Sequence, residues 1–326
     1  MARQEGRIAR RGLAGLLAAP ILSAPALAQA PWPQRGLTLV VPYPPGGSTD
    51  NTARPVAQKL AEVLGQNVVI ENRGGAGGSI GAGQVTQARP DGYTLLCFPT
   101  AVMTISPHML RLPYDVRRDF TQVAMLSVSD GVMALHPSLP FTDIHAFMAH
   151  ARANPGKLRF SSAGNGTITQ LIPEIFAANA GIRLEHVPYR GSSPALTALL
   201  AGEVELQFDP VAIPAAKEGR VRGLATLGEE RSGQLPALPT LKELGWFEGG
   251  AYSWFGLAGP AGLPAEVTAR LVQALGVVLA DATVARAMAP VGLRPRLEHG
   301  DAFARRMAAD YESFGAAVRR TGAKAE

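Results

Sequence analysis

The order in which strand-like and helix-like segments follow one another constrains this chain more than any single motif. Apolar, β-rich runs at residues 37–41, 68–71 and 94–98 alternate with helix-patterned stretches at 52–64 and 80–88. A β-α-β-α-β order of this kind calls for a parallel sheet with helices on its faces. Pro90-Asp91-Gly92 supplies the turn into the third strand. A second round begins after the apolar run 128–135, with a helix at 143–153 stopped by Asn154-Pro155-Gly156 and a strand at 158–161. A helix at 167–178, a strand at 184–187, a helix at 193–200 and a strand at 204–208 complete it. Residues 227–239 read as a polar, Pro-containing link, and a strand-like segment at 253–258 precedes amphipathic helices at 264–279 and 301–319. At 326 residues the chain exceeds the usual single-domain size, so two α/β domains, each a mainly parallel sheet flanked by helices, are expected. The crossings between them fall near 128–132 and 248–253.

The first 28 residues set the compartment. Arg3, Arg7, Arg10 and Arg11 precede an apolar stretch from Leu13 to Leu27, and Ala26-Leu27-Ala28 is a small-x-small cleavage site. This is the pattern of a secretory signal peptide, removed after export rather than spanning a membrane. Arg10-Arg11 also matches a twin-arginine signal loosely, so both the Sec and Tat routes stay open. Removing these residues takes away four Arg and Glu5, which lowers the formal charge of +5 to +2. No basic stripe interleaved with aromatics remains, which excludes the usual nucleic-acid reading. The single cysteine, Cys97, lies in an apolar run and reads as a buried strand residue. The six His are scattered, with His145 and His150 on different helical faces, so neither a metal site nor a cofactor is expected.

Open α/β sheets bind ligands beyond the carboxyl ends of their strands, in the crevice between units. The strand-to-helix loops there are 43–50, 72–79 and 99–101, then 161–167, 188–193 and 209–210. In Pro-Tyr-Pro-Pro-Gly-Gly-Ser-Thr-Asp (42–50), Gly46 and Gly47 permit close backbone approach and Ser48 or Thr49 can cap the following helix. The first free N–H groups of that helix then point at an anion. No Lys follows the glycines and the spacing is not G-x-G-x-x-G, so neither a Walker loop nor a dinucleotide fingerprint is present. Pro44 and Pro45 stiffen the wall. Candidate lining residues from these loops are Tyr43, Gly46, Gly47, Ser48, Asp50, Ala76, Gly77, Ser79, Thr100 and Ala101. The second round contributes Ser162, Asn165, Gly166, Thr167, Gln170, Tyr189 and Asp209.

Several of these carry a second reading. Asp50 either orients ligand-binding groups or offsets the dipole of its helix. Thr167 is placed to cap a helix, a geometry that also lets it touch ligand, and Asp209 either binds or caps a turn. Tyr189 lines the pocket or packs in the core. Arg190 is a solvated charge or the cation for a second ligand carboxylate, whereas Arg54 and Arg73 read as surface or structural pairs.

Residues 41–96, VPYPPGGSTDNTARPVAQKLAEVLGQNVVIENRGGAGGSIGAGQVTQARPDGYTLL, resemble the opening of the Bug family. These are the periplasmic substrate-binding components of tripartite tricarboxylate transporters. SSAGNGTITQL (161–171), VPYRGSSPALTALLAGEVELQFD (187–209), LPALPTLKELG (235–245) and SWFGLAGPAG (253–262) resemble that family in the same order. The resemblance implies a two-domain periplasmic-binding-protein fold of type II-like form, with domain 1 from 31–129 and 250–326 and domain 2 from 130–249. It implies a small carboxylate held between 43–50 and 76–79 on one side and 162–170 and the Tyr189 region on the other. Gln170 stands where many relatives carry His, Arg190 where Lys is usual, and Pro210 where Asn is common. The implied function is capture of an organic anion for membrane permease subunits, by a monomeric protein that makes and breaks no bond. A ligand-sensing component of a signalling system is the alternative. A serine hydrolase is a third reading, since Gly77-Gly78-Ser79-Ile80-Gly81 matches G-x-S-x-G with Asp209 and His299 following, but Ser79 does not directly follow a strand.

Overall fold

The computed structural model describes residues 1–2, 32–248, 251 and 253–324. The expected signal peptide and its cleavage site lie almost wholly outside these residues, as does part of the crossing expected near 248–253. The first round begins with β1 (Leu37–Val41), α1 (Ser48–Leu64), β2 (Val68–Asn72), α2 (Ser79–Thr86) and β3 (Thr94–Pro99). Short helices α3 (Thr100–Thr104) and α4 (Ser106–Met109) lead to the long strand β4 (Phe120–Ser129). After two residues the chain enters a second sheet as β5 (Val132–Leu135). It continues through α5 (Ile144–Ala153), β6 (Arg159–Ser162), α6 (Ile168–Ala180), β7 (Glu185–Pro188) and α7 (Ser192–Ala201). Then β8 (Leu206–Asp209), α8 (Ile213–Lys217) and β9 (Arg222–Thr226) finish the second sheet. The return strand β10 (Ser253–Pro260) precedes α9 (Ala265–Ala280), α10 (Ala282–Met288), β11 (Leu293–His299) and α11 (Gly300–Thr321).

Two sheets result, one of six strands ordered β11-β4-β10-β3-β1-β2 and one of five ordered β7-β6-β8-β5-β9. Each sheet with its helices forms a lobe. The expectation of mainly parallel sheets needs correction. Parallel pairing is confined to β1 with β2 and β3, and to β6 with β7 and β8. β10 runs antiparallel to β3 and β4, β11 to β4, and β5 to both β8 and β9. Only the βαβ units return the chain to the same edge through a crossover helix, which is what parallel pairing requires. β4 instead passes straight into β5, and β10 brings the chain back, so these strands enter their sheets from the opposite end.

Each lobe has its own core. In the first, Trp254 packs edge-on to Phe98 and Phe303, at centroid distances of 5.9 and 5.3 Å. In the second, Phe147, Phe176 and Phe208 form a cluster with Phe160. Cys97 is buried on β3, as its apolar run implied. α11 lies along the first lobe but sends Val318 into the second lobe's core. None of the described helices is by itself long and apolar enough to cross a membrane.

Candidate ligand-binding site

The carboxyl ends of β1, β3, β6 and β8 open toward one another, and a small cavity lies there. From the first lobe it is lined by Tyr43, by Gly47, Ser48 and Thr49 at the start of α1, by Pro99 and Ala101, and by Ser253 and Phe255 of β10. From the second come Ala163, Thr167, Ile168 and Thr169 at the start of α6, Ser192 at the start of α7, and Asp209 with Pro210.

Three helix N-termini therefore meet one space. Gly47, Thr167 and Gly191 occupy the N-cap positions of α1, α6 and α7, helices of 17, 13 and 10 residues, and none supplies a side-chain cap. At a helix start the first N–H groups lack intrahelical partners and the macrodipole adds positive potential. Each such end favours a nearby negative charge by about 0.3–1 kcal/mol, and by up to about 2 kcal/mol when partly buried. Among the described lining residues there is no Lys, Arg or His.

Asp209 is the one acidic side chain on this wall and is 1% exposed. Its Oδ1 accepts from Ser48 Oγ at 3.2 Å and from the Val211 N–H at 3.0 Å, while Oδ2 accepts from Ser192 Oγ at 2.6 Å. Burial pushes its carboxyl above the usual range, against the pull of Ser192, Val211 and Ser48. Asp209 thus caps the turn after β8, as one of its two readings expected, and it also faces the cavity. The Ser48 bond also ties the two lobes together. Ser193 Oγ donates to the Pro45 carbonyl at 3.2 Å and Ser106 Oγ to the Gly166 carbonyl at 3.0 Å, so the lobes touch on both flanks of the cleft.

Among the expected site residues, Tyr43, Gly47, Ser48, Ala101, Thr167 and Asp209 come to the cavity. Thr167 stands at the N-cap, but its hydroxyl does not cap the helix. It donates to the Gly164 carbonyl at 2.6 Å and lies 3.0 Å from Thr169 Oγ1, which accepts the Ala163 N–H. Asp50 points away from the cavity. Its carboxylate takes the Gly46 N–H at 2.8 Å, Asn72 Nδ2 at 3.0 Å and a two-point contact from Arg54, which fixes the loop that carries Gly47 and Ser48. The structural-pair reading of Arg54 therefore describes the contact observed.

Other expected residues shape the cleft without lining the cavity. Gly46 is exposed opposite Ser193, and Ala76, Gly77 and Ser79 form the loop and helix start beneath Tyr43. Tyr43 donates its hydroxyl to the Gly77 carbonyl at 2.7 Å, and a Cβ at Gly77, whose φ is +62°, would collide with the Asn165 carbonyl across the cleft. Thr100 is spent on β10, donating to the Trp254 carbonyl and accepting its N–H, both at 2.8 Å. Ser162 is buried beside His186 Nε2 at 2.6 Å. Asn165 and Gly166 belong to the loop before α6, where the Gly166 N–H donates to Gln170 Oε1 at 2.8 Å. Gln170 is buried away from the cavity, with Nε2 donating to Glu174 and to the Lys324 carbonyl. Tyr189 is corrected from lining to packing: its ring lies against the core beside α7 and its hydroxyl donates to Glu203.

Thr49, Pro99, Ala163, Ile168, Thr169, Ser192, Pro210, Ser253 and Phe255 line the cavity but were not among the candidate lining residues, although Thr49 was read as a possible helix cap and Pro210 as a departure from the family. Most are the residues next to an uncapped helix start, a signal the sequence did contain. Ser253 and Phe255 arrive on the strand returning from the other lobe, and no local motif marks them. Among the described residues no hydrogen bond joins Ser79 to Asp209 or His299, whereas Asp209 holds Ser48 and Ser192 instead.

The family model described as "Tripartite tricarboxylate transporter family receptor" matches residues 52–322. Protein BugT of Bordetella pertussis is 35% identical over 300 residues, which cover 90% of this chain and 91% of that one. Among solved structures, R. palustris Rpa4515 with adipate shares 30% identity at a TM-score of 0.85, over 89% of this chain and 98% of that one. MatC from Rhodopseudomonas palustris with bound malate shares 28% identity at a TM-score of 0.81, over 88% and 100%. The chain thus belongs to the tripartite tricarboxylate transporter receptor family, to which the Bug proteins belong, a family of periplasmic solute-binding proteins and not of enzymes.

Proposed function

We propose that this protein captures a small organic anion in the cleft between its lobes, in the periplasm, and delivers it to the membrane subunits of a tripartite tricarboxylate-type transporter. The observation that carries this reading is the meeting of three side-chain-uncapped helix N-termini in a cavity with no cation among its described lining residues. Backbone amides and helix dipoles can hold a carboxylate there without a counter-charge. The relatives with adipate and malate support a carboxylate as the ligand class.

The division into 31–129 with 250–326 as one domain and 130–249 as the other is part of the proposal. So is closure by rotation about the two strand crossings, which would bury the ligand and join both lobes into the surface a permease meets. A thermal-shift screen of organic acids followed by calorimetry tests the capture step. A bound acid at 100 times its Kd adds about 2.7 kcal/mol of stability, and stabilisation by no carboxylate at all would sink the reading. The proposed export removes residues 1–28, so protein recovered from the periplasm should begin at Gln29 by intact mass. A retained N-terminus, or confinement to the cytoplasm, would contradict that part.

A further inference from the structure

The loop that leads into α6 forms one wall of the cavity through Ala163 and Thr167. Two of its residues, Gly164 and Gly166, have φ of +126° and +73°, conformations that residues with a side chain rarely adopt. Glycines leave a segment more freedom to lose on ordering, so the shape of this loop depends on the bonds made to it. Within the lobe, Ser162 Oγ accepts the Gly164 N–H at 3.1 Å and Thr167 Oγ1 donates to the Gly164 carbonyl at 2.6 Å. Gly166 is held from further away. Ser106 Oγ of α4, in the first lobe, donates to its carbonyl at 3.0 Å, and Gln170 Oε1 accepts its N–H at 2.8 Å.

Gln170 is 1% exposed, and the other end of its amide is fixed at two points. Its Nε2 donates to Glu174 Oε1 at 2.9 Å and to the Lys324 carbonyl at 3.1 Å. Lys324 follows α11, which packs on α3, β4 and β11 of the first lobe and on α6 of the second. Gly322, at φ +69°, ends that helix and lets the chain turn toward Gln170. A buried side chain of the second lobe thus joins a segment carried largely by the first to a backbone amide one residue from the cavity wall. With Nε2 held twice, the amide plane is fixed and Oε1 stays aimed at Gly166.

We propose that residues 322–324 form a strap across the cleft, and that Gln170 is the positioning residue through which they hold the loop 164–167 in its ligand-binding shape. The effect on affinity rests on the capture reading above, whereas the effect on the loop is measurable without ligand.

Three variants of the mature protein test it: one ending at Thr321, Gln170→Met, which keeps the length of the side chain without its amide, and the two combined. In the absence of ligand, amide hydrogen exchange at Gly166 should quicken about three- to tenfold in the shortened protein and at least about tenfold in Gln170→Met, the range that a lost hydrogen bond covers. The amides of β8, in the core of the same lobe, should exchange at the wild-type rate. Calorimetric titration with malate and adipate should show affinity falling by similar factors for whichever of them binds the wild type. Shortening the chain should add nothing to Gln170→Met, because both act through one side chain. Wild-type exchange at Gly166 in the shortened protein, or effects that simply add in the combined variant, overturn the strap. Faster exchange throughout β8 means general loosening of the lobe and overturns the positioning role of Gln170. A loosened Gly166 with unchanged affinity overturns the link to binding while leaving carboxylate capture standing. Failure of the wild type to bind any acid in the wider screen overturns capture, and exchange at Gly166 still decides the strap.

Discussion

Asp209 is a buried carboxylate held entirely by hydroxyl and amide donors, two of them on helices from different lobes. Its carboxyl is raised from 3.8 chiefly by burial, so the native state holds a proton there more tightly than the unfolded chain does. The contribution to stability is then lost as pH rises from 3.8 through the raised native value, and is flat beyond both. Asp209→Asn removes that titration. Urea denaturation between pH 4 and 8 should show the wild type gaining on the variant as pH falls through this window; parallel stability curves would contradict the assignment. The sequence had already pointed to Asp209 and Ser48, because each stands at a strand-helix junction in a recognisable loop. It gave no way to see that Ser48 and Ser192 are spent on Asp209 rather than on ligand, since that depends on two loops 144 residues apart meeting. Tyr189 was misplaced for the same reason: a Tyr at a strand end has a core partner only once α7 is packed against it.

At the level of elements, what was legible followed the strength of the pattern. The βαβ units were read nearly to the residue because buried parallel strands are continuous apolar runs, as in Leu37–Val41, and their helices end at αL glycines such as Gly65 and Gly181. α1 starts at Ser48, four residues before the apolar period begins, because its first turn faces the cleft instead of the core. β9 and β11 left no clear signal. β11, Leu-Arg-Pro-Arg-Leu-Glu-His, is an edge strand whose charges and proline suit one exposed flank and look like a linker in one dimension. The loop from Gly75 to Gly78 shows how a glycine run can serve approach rather than flexibility. Gly77, at φ +62°, lies directly against the Asn165 carbonyl of the other lobe. Gly77→Ala should cost more than the roughly 1–2 kcal/mol of a left-handed alanine, because its Cβ meets a backbone carbonyl that must shift, and should weaken ligand affinity more than tenfold because the side chain holds the lobes apart. Paired denaturation and calorimetry on this variant check it, and wild-type affinity would mean that closure does not bring these loops together.

For the whole molecule, two chain crossings and the C-terminal helix connect lobes that otherwise have separate cores. Under the proposed capture, the N-termini of α1, α6 and α7 on opposite sides of one cleft would make binding and closure a single event, since an anion would satisfy amides from both lobes only when they are together. The alternation of segments implied two α/β units and a cleft, and the family resemblance implied its occupant; the mixed strand directions were hidden because a strand that changes sheets looks like any other apolar run. The most direct measurement is the change in backbone amide chemical shift during titration of isotopically labelled protein with the tightest carboxylate from the screen. The account predicts the largest shifts at Ser48 and Thr49, at Ile168 and Thr169, and at Ser192, all saturating along one curve. Saturable binding that leaves these amides unmoved and perturbs another part of the surface would contradict it.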